Sequence, residues 1–231
     1  MSRQFGSLFA LHEVSFSMDA GDFLGIVGPN GAGKTTLVRT LARLARPSSG
    51  TVRLTGEDWL SAPAERQVEV GVVSHATFLY DGLSAFENLV FYATLYGVED
   101  PERSAQKALE DVELGELSNR RAGTLSRGQA QRLSIARSAL HDPRILLLDE
   151  PYAGLDPHAA SRLGVALGRL RSAGRAIVLT THDLARVPAA VTHYLVLVAG
   201  RVADAGEWST LADGELADRY SQAVARTNDG F

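Results

Sequence analysis

The sequence predicts an α/β fold built on a parallel sheet, and three observations lead to that class. Short apolar runs at residues 23–27, 145–148 and 176–179 each end in residues that can do chemistry. Segments with helical spacing follow these runs, as the crossovers of a parallel sheet require. One longer stretch, Phe86 to Leu117, has helical spacing and no strand candidate. We therefore expect one domain over residues 1–231, with a helical insertion at about residues 81–140.

The N-terminal residues predict strands that lead into the core. Phe9–Phe16 mixes apolar and polar residues, and Met18–Asp22 has the composition of a turn. Phe5 stands alone ahead of them. An exposed aromatic side chain can stack on a purine, although a core or edge position is the commoner role of a single Phe. Both interpretations of Phe5 stay open on these residues alone.

The first core strand, Phe23–Val27, runs into a glycine-rich loop and a helix candidate at Leu37–Leu44. The loop fits the pattern G-x-x-x-x-G-K-[ST], and an ordinary glycine-rich turn seldom carries Lys-Thr at that point. Such a loop and the N-terminus of the next helix direct backbone N–H groups at a polyphosphate. Lys34 can reach the β and γ phosphates, and the Thr35 hydroxyl can bind Mg²⁺. The predicted nucleotide site consists of Gly28, Pro29, Asn30, Gly31, Ala32, Gly33, Lys34, Thr35 and Thr36.

Two further strands and the helical insertion follow. Thr51–Leu54 alternates like a strand, and Val68–Val73 is a second apolar run. In the insertion the helical spacing breaks at Gly97–Pro101. Its aromatic face predicts packing, with a groove for a partner as the alternative. That face is formed by Phe86, Phe91, Tyr92 and Tyr96.

A serine precedes the next helix candidate, Gln129–Leu140. Ser126 is well placed as its N-cap, and on one interpretation the segment is only a capped helix after a loop. On the other, the Ser126 hydroxyl and the Gly128 N–H form a second anion-binding surface at the helix N-terminus.

Two apolar runs end in side chains suited to catalysis. Asp149 and Glu150 follow Ile145–Leu148, and His182 follows the strand Ala176–Thr181. Parallel strands deliver their C-terminal residues to one edge of a sheet, where ligands bind. Asp149 can hold Mg²⁺ and Glu150 can polarise an attacking water, whereas structural carboxylates at a strand end are the alternative.

The remaining elements complete the predicted fold. A helix is expected at Ala159–Arg171, a hairpin at Tyr194–Asp204 and an amphipathic helix at Trp208–Arg226. The chain has no cysteine, which agrees with a reducing cytoplasm. Its net charge of −4 argues against nucleic acid as a partner. Its apolar runs are too short to span a bilayer, so any role at a membrane requires a partner.

Five motifs resemble, in order and spacing, those of the ATP-binding cassette (ABC) ATPases: Gly28–Thr36, Leu125–Gln129, Leu146–Pro151, Gly154–Asp156 and His182. The resemblance covers essentially the whole chain. It implies the ABC ATPase core, with a parallel sheet, an N-terminal antiparallel β subdomain and an inserted helical subdomain.

The resemblance also implies cofactors and site residues. The chain would bind ATP and Mg²⁺, with Thr35 and Asp149 at the metal, Glu150 as general base and His182 at the γ-phosphate. Phe5 would stack on adenine. Two copies would close head to tail, so that one copy's signature segment, with Ser126, Gly128 and Gln129, meets ATP held by the other. Asp156 would contact the partner copy.

Within the family, the sequence resembles the ATP-binding subunit of haem exporters in cytochrome c maturation. The similar segments are residues 74–81, residues 87–92 and the signature Leu-Ser-Arg-Gly-Gln. This implies export of haem through integral-membrane subunits, with the chain peripheral on the cytoplasmic face of the membrane. Exporters of lipids, drugs or peptides are alternatives. So are a soluble ABC ATPase acting on DNA or ribosomes, and a dimer that binds ATP without hydrolysing it.

The chain departs from the family pattern at two positions. The glutamine that normally follows the strand Val68–Val73 is replaced by His75 or Ala76, with Ser74 or water as a substitute metal contact. Altered hydrolysis or coupling is the expected effect. Arg127 replaces the first glycine of the signature, and phosphate contact is expected to survive because Ser126 and Gly128 remain.

Overall fold

The core of the protein is a mixed six-stranded sheet. The structure is a computed structural model that describes residues 1–74 and 76–228. The strands are β1 Arg3–Phe5, β2 Leu8–Leu11, β3 Phe23–Val27, β4 Arg53–Leu54, β5 Glu57–Asp58, β6 Val70–Val73, β7 Ile145–Asp149, β8 Ala176–Thr181, β9 His193–Val198 and β10 Arg201–Glu207. The helices are α1 Lys34–Leu41, α2 Ala85–Leu95, α3 Pro101–Asp111, α4 Arg127–Ala139, α5 Pro157–Ser172 and α6 Glu215–Asn228.

The central sheet has the order β10-β9-β3-β8-β7-β6. The five strands from β9 to β6 are parallel, which confirms the predicted parallel core. Only β10 is antiparallel, because it returns from β9 through the predicted hairpin. β3, which leads into the glycine-rich loop, lies between β8 and β9.

Both faces of the five parallel strands are covered, so these strands are mostly apolar and buried. Successive side chains of a strand point to opposite faces. Leu147 faces the cluster that contains Leu37 and Val38 of α1. Leu146 and Leu148 belong to the cluster formed with α4 and α5 on the other face.

The predicted insertion forms three helices that pack on one another. Leu89 of α2, Leu109 of α3 and Leu133 of α4 are fully buried in one cluster. Ser84 caps α2 with a capping box, and Asp100 caps α3 ahead of a proline at its first position. Local sequence therefore sets where these helices begin.

Several predicted boundaries were wrong at the ends of elements. α1 ends at Leu41 rather than Leu44, because Arg43 adopts a positive φ of 59°. The C-terminal helix begins at Glu215, and Trp208–Thr210 forms a separate 3₁₀ turn. In the described part of the chain, no helix has the length and apolarity needed to cross a membrane.

The N-terminal antiparallel structure is smaller than predicted. It consists of two two-stranded sheets, β1-β2 and β4-β5. Of the predicted strand Phe9–Phe16, residues 9–11 lie in β2 and Val14 exchanges backbone hydrogen bonds with Met1. Of Thr51–Leu54, only Arg53 and Leu54 lie in a strand. Residues 15–18 and 50–51 have no backbone hydrogen-bond partner in the described structure, and they border a cavity, so each segment lacks a neighbouring strand on that side.

Candidate active site

The ends of three adjacent strands bring the predicted catalytic side chains together. β3 pairs with β8 and β8 pairs with β7, all parallel, so their C-terminal ends share one edge. Lys34 follows β3 through the loop, Glu150 follows β7 and His182 follows β8. The Lys34 ammonium lies 3.3 Å from one oxygen of Glu150, and the His182 ring lies 2.9 Å from the other.

Two glycines give the loop its shape. A side chain on Gly28 would collide with the Leu197 carbonyl, and one on Gly33 would collide with the Ala10 carbonyl. Gly33 also has a φ of 102°, which favours glycine. The Gly200 N–H donates to the Ala32 carbonyl at 3.0 Å. Neighbouring backbone therefore fills the space beneath the loop.

The other residues of the loop leave its outer side open. Asn30, Gly31 and Thr35 are exposed, whereas Pro29 and Thr36 are half-buried. Gly31 has a φ of 80° with open space around it. This outer side is where backbone N–H groups can meet phosphate oxygens.

Lys34 is almost fully buried, with 6 % of its side chain exposed. Its ammonium donates to the Gly28 carbonyl at 2.7 Å and to the Pro29 carbonyl at 3.1 Å. Together with Glu150, these carbonyls supply an oxygen for each of its three protons. A phosphate that binds Lys34 therefore has to replace at least one of these contacts.

Asp149 and Glu150 are both held by Thr180, a residue that the sequence analysis did not single out. The buried Thr180 hydroxyl donates to Asp149 Oδ1 at 2.7 Å and accepts from the Glu150 N–H at 3.1 Å. Glu150 itself has a φ of 51°, an uncommon conformation for a non-glycine residue. The available signal was a pair of polar residues, Thr180 and Thr181, closing an apolar strand beside the carboxylate strand.

The side chains present suit a hard divalent cation. Thr35 offers a hydroxyl oxygen and Asp149 a carboxylate oxygen, and Mg²⁺ prefers such ligands, completed by water and phosphate. The hydroxyl of Thr180 orients Asp149 from behind, as the outer partners of metal ligands commonly do.

His182 is half exposed, and its Nδ1 faces Glu150. The His182 backbone N–H also lies 3.3 Å from Glu150 Oε2. Among the described residues, Nε2 of His182 has no hydrogen-bond partner. The imidazole can therefore hold the carboxylate with one nitrogen and meet a ligand with the other.

Phe5 lies on β1, away from the core, with 53 % of its side chain exposed. The Arg3 guanidinium stacks over its ring at 4.5 Å and donates to the Arg46 carbonyl. The core alternative for Phe5 is therefore excluded, and the ring is accessible to a planar ligand.

The remaining predicted residues lie at the N-termini of α4 and α5. Ser126 caps α4 and forms a capping box with Gln129. A side chain on Gly128 would collide with Ala159 of α5, so this glycine allows the two helices to approach. In the described structure, none of these side chains hydrogen-bonds to the glycine-rich loop.

Asp156 caps α5, and its exposed carboxylate accepts a hydrogen bond from the Ala159 N–H at 2.9 Å. That bond lowers the pKa of Asp156. Arg127 extends from α4 over Gly154, in the loop before Asp156, and fills the space that a side chain on Gly154 would take. This contact was not foreseen from the sequence.

His75 and Ala76 are the two candidates for the position at which the family has a glutamine. His75 lies outside the residues that the structure describes. Ala76 is exposed, and its carbonyl accepts a hydrogen bond from the Ser74 hydroxyl at 3.3 Å.

Comparison with known protein families gives a match over most of the core. The family model described as ABC transporter matches residues 11–153. The chain is 34 % identical over 214 residues to the ABC transporter ATP-binding protein NatA of Bacillus subtilis, covering 90 % of this chain and 86 % of the relative. It is 32 % identical to a probable anion import ATP-binding protein of Haloferax volcanii, over 95 % of this chain and 83 % of the relative.

A third relative, a Nod factor export ATP-binding protein I of Cupriavidus metallidurans, is 34 % identical over 214 residues. The aligned region covers 92 % of this chain and 71 % of the relative. Among solved structures, an ATP-binding cassette of an ABC transporter matches with a TM-score of 0.86, at 26 % identity over 96 % of this chain and 95 % of that one. A dimeric cassette in a post-hydrolysis state with ADP and Pi matches with a TM-score of 0.76, at 25 % identity over 89 % and 94 %.

Proposed function

Because the chain belongs to the ATP-binding proteins of the ABC transporter family, we propose that Glu150 and His182 carry out its ATP hydrolysis. The chain is an ABC ATPase that uses ATP with Mg²⁺. The observation that supports these two roles is the Glu150 carboxylate, held between the Lys34 ammonium and the His182 ring. Residues 1–231 form one ABC ATPase domain in this proposal, with the helical insertion at about 81–140.

The contacts of Lys34 suggest how substrate starts the reaction. When the β and γ phosphates of ATP bind the Lys34 ammonium in place of Glu150, Glu150 Oε1 becomes available to a water molecule. Glu150 accepts a proton from that water as the water oxygen bonds to the γ-phosphorus. The bond from the γ-phosphorus to the bridging oxygen breaks, and ADP and phosphate leave.

Other residues of this chain hold the reactants. His182 keeps Glu150 oriented through Nδ1 and donates from Nε2 to a γ-phosphate oxygen when protonated. Phe5 stacks on adenine. Thr35 and Asp149 would hold Mg²⁺, which would supply positive charge beside the phosphates.

The chain works as a dimer with membrane subunits. We propose that the signature segment, with Ser126, Gly128 and Gln129, meets ATP bound by the partner copy. Asp156 contacts that copy from the start of α5. Ser126 and Asp156, the N-caps of α4 and α5, are exposed, which suits this role, since helix N-termini attract anions.

For the cargo we propose haem, exported from the cytoplasm during cytochrome c maturation by a complex on the cytoplasmic face of the membrane. The proposal rests on the resemblance of residues 74–81, 87–92 and 125–129 to haem exporter subunits. The relatives favour a second candidate, transport of a substrate other than haem, because they include a Nod factor export ATP-binding protein and a probable anion import ATP-binding protein.

The test is a pull-down of C-terminally tagged protein from detergent-solubilised membranes of its native host. We expect multi-spanning proteins to copurify and to raise the ATPase activity above that of the isolated chain. Haem or haem-handling proteins in the complex would support the haem proposal. A complex without haem, stimulated by another cargo, would contradict it, and recovery of ribosomes or DNA-bound proteins would contradict the transport role.

A further inference from the structure

A cavity of about 910 Å³ lies at the end of the sheet opposite the phosphate site. Val70, Ile145 and Ala176, the first residues of β6, β7 and β8, line it. Its two walls are residues 14–18 and residues 50–54. We call the cavity and these two walls the strand groove.

Both walls have the side-chain pattern of half-buried strands. Val14, Phe16 and Met18 are buried or half-buried, whereas the serines between them are exposed. On the other wall Val52 and Leu54 point inward, and their neighbours are exposed. This period of two is typical of strands that pack on a core.

The backbones of the walls are nevertheless unpaired where they face each other. In the parts of the chain that the structure describes, residues 15–18 and 50–51 have no backbone hydrogen-bond partner. Backbone groups in native proteins are almost always paired, and unpaired strand edges readily accept another strand. The space between the walls is therefore suited to an extended polypeptide.

The first two residues already lie between these walls as a central strand. Met1 and Val14 exchange both backbone hydrogen bonds, at 2.6 and 2.9 Å. On the other side, the Ser2 N–H donates to the Ser49 carbonyl at 2.9 Å, and the Ser48 N–H donates back to Ser2 at 2.8 Å. Residues 1–2 thus run antiparallel to both walls, and polypeptide continuing from the Met1 nitrogen enters the groove.

We propose that the strand groove holds a β-strand of the protein's own polypeptide, on the N-terminal side of Met1. The register follows from the pairs already present. With Met1 opposite Val14, the second residue before Met1 lies opposite Phe16 and the fourth opposite Met18. Counted from Ser2 and Ser49, the same two residues lie opposite Val52 and Leu54.

Both walls thus require apolar side chains at the second and fourth positions before Met1, and polar ones between them. A strand of about five residues matches the length of the wall at roughly 3.4 Å per residue.

The first test is the mass of the natural protein. The gene carries a C-terminal tag at its own chromosomal locus, and intact-mass and N-terminal peptide analysis identify the first residue. We expect a start at least five residues upstream of Met1, with apolar residues at the second and fourth positions before it. A natural chain that starts at Met1 would overturn the proposal, as would a second protein found with its own strand in the groove.

The second test uses two fusions, each with an initiator methionine and five residues ahead of Met1. One reads Thr-Val-Thr-Val-Thr, which puts valine at the second and fourth positions before Met1; the control, Val-Thr-Val-Thr-Thr, has the same composition in the wrong register. We expect the first to slow amide exchange at residues 15–18 by at least about tenfold and to raise the Tm by about 5 °C. Equal exchange in both fusions would overturn the proposal.

Discussion

Replacing Glu150 with glutamine tests the proposed general base with the least change in shape. The variant keeps an oxygen for Lys34 and His182 but cannot accept the proton of the attacking water. General-base catalysis contributes about 10²–10⁴-fold, so we expect kcat to fall by that factor, which is about 2.7–5.5 kcal/mol.

Although kcat should fall in the Glu150→Gln variant, its affinity for ATP is not expected to fall. Lys34 lies 3.3 Å from the Glu150 carboxylate, and ATP phosphates compete for the same ammonium. Since a neutral amide holds Lys34 less strongly than a carboxylate, ATP should bind the Glu150→Gln variant as tightly as wild type or more tightly. ATP-bound dimers should then accumulate.

The assays are phosphate release at steady state, binding of a fluorescent ATP analogue, and size exclusion with and without ATP. Glu65→Gln is the matched control, because Glu65 is exposed and far along the chain from the site. Turnover of the Glu150 variant within tenfold of wild type would refute the role of Glu150. Weakened ATP binding would refute the proposed exchange at Lys34.

Three further predictions concern residues that shape or support the site. Gly28→Ala should abolish ATP binding and lower the Tm, because the added methyl collides with backbone beneath the loop, whereas Gly82→Ala, in open space, should change neither. Thr180→Val should raise the Mg²⁺ concentration for half-maximal activity by about 10–100-fold by releasing Asp149, with Thr180→Ser restoring it. The pKa of Asp156 is lowered on folding, so its charge stabilises the fold above its unfolded pKa of about 3.9 and that contribution is lost as pH falls through the folded value. The Tm difference between wild type and Asp156→Asn should therefore be constant above about pH 5 and shrink below pH 4; a difference unchanged at pH 3 would contradict this.

The catalytic edge could be predicted from sequence because its strands are uniformly apolar and end abruptly in polar residues. The strand Phe23–Val27 has the predicted bounds, and so does Ala176–Thr181. Because these strands are parallel, the sequence alone was enough to predict that Lys34, Glu150 and His182 lie at one edge of the sheet.

What could not be predicted depends on contacts between distant segments. A threonine at a strand end can be an ordinary core residue, so Thr180 gave no distinctive signal until β7 and β8 were paired. The stacking of Arg3 on Phe5 and of Arg127 over Gly154 likewise depends on side-chain placement. The lengths of the strands predicted at Phe9–Phe16 and Thr51–Leu54 were too great. Alternation of apolar and polar side chains does not say whether a neighbouring strand is present to pair with them.

The position of β3 has a consequence for synthesis on the ribosome. β3 carries the glycine-rich loop, yet its two sheet neighbours, β8 and β9, are made about 150 residues later. The loop itself rests on Leu197 and Gly200, beyond β8. A nascent chain therefore contains the complete glycine-rich loop long before the segments that support the conformation of that loop have been made. We infer that nucleotide affinity arises late, in nearly finished chains, and that truncated products do not compete for ATP.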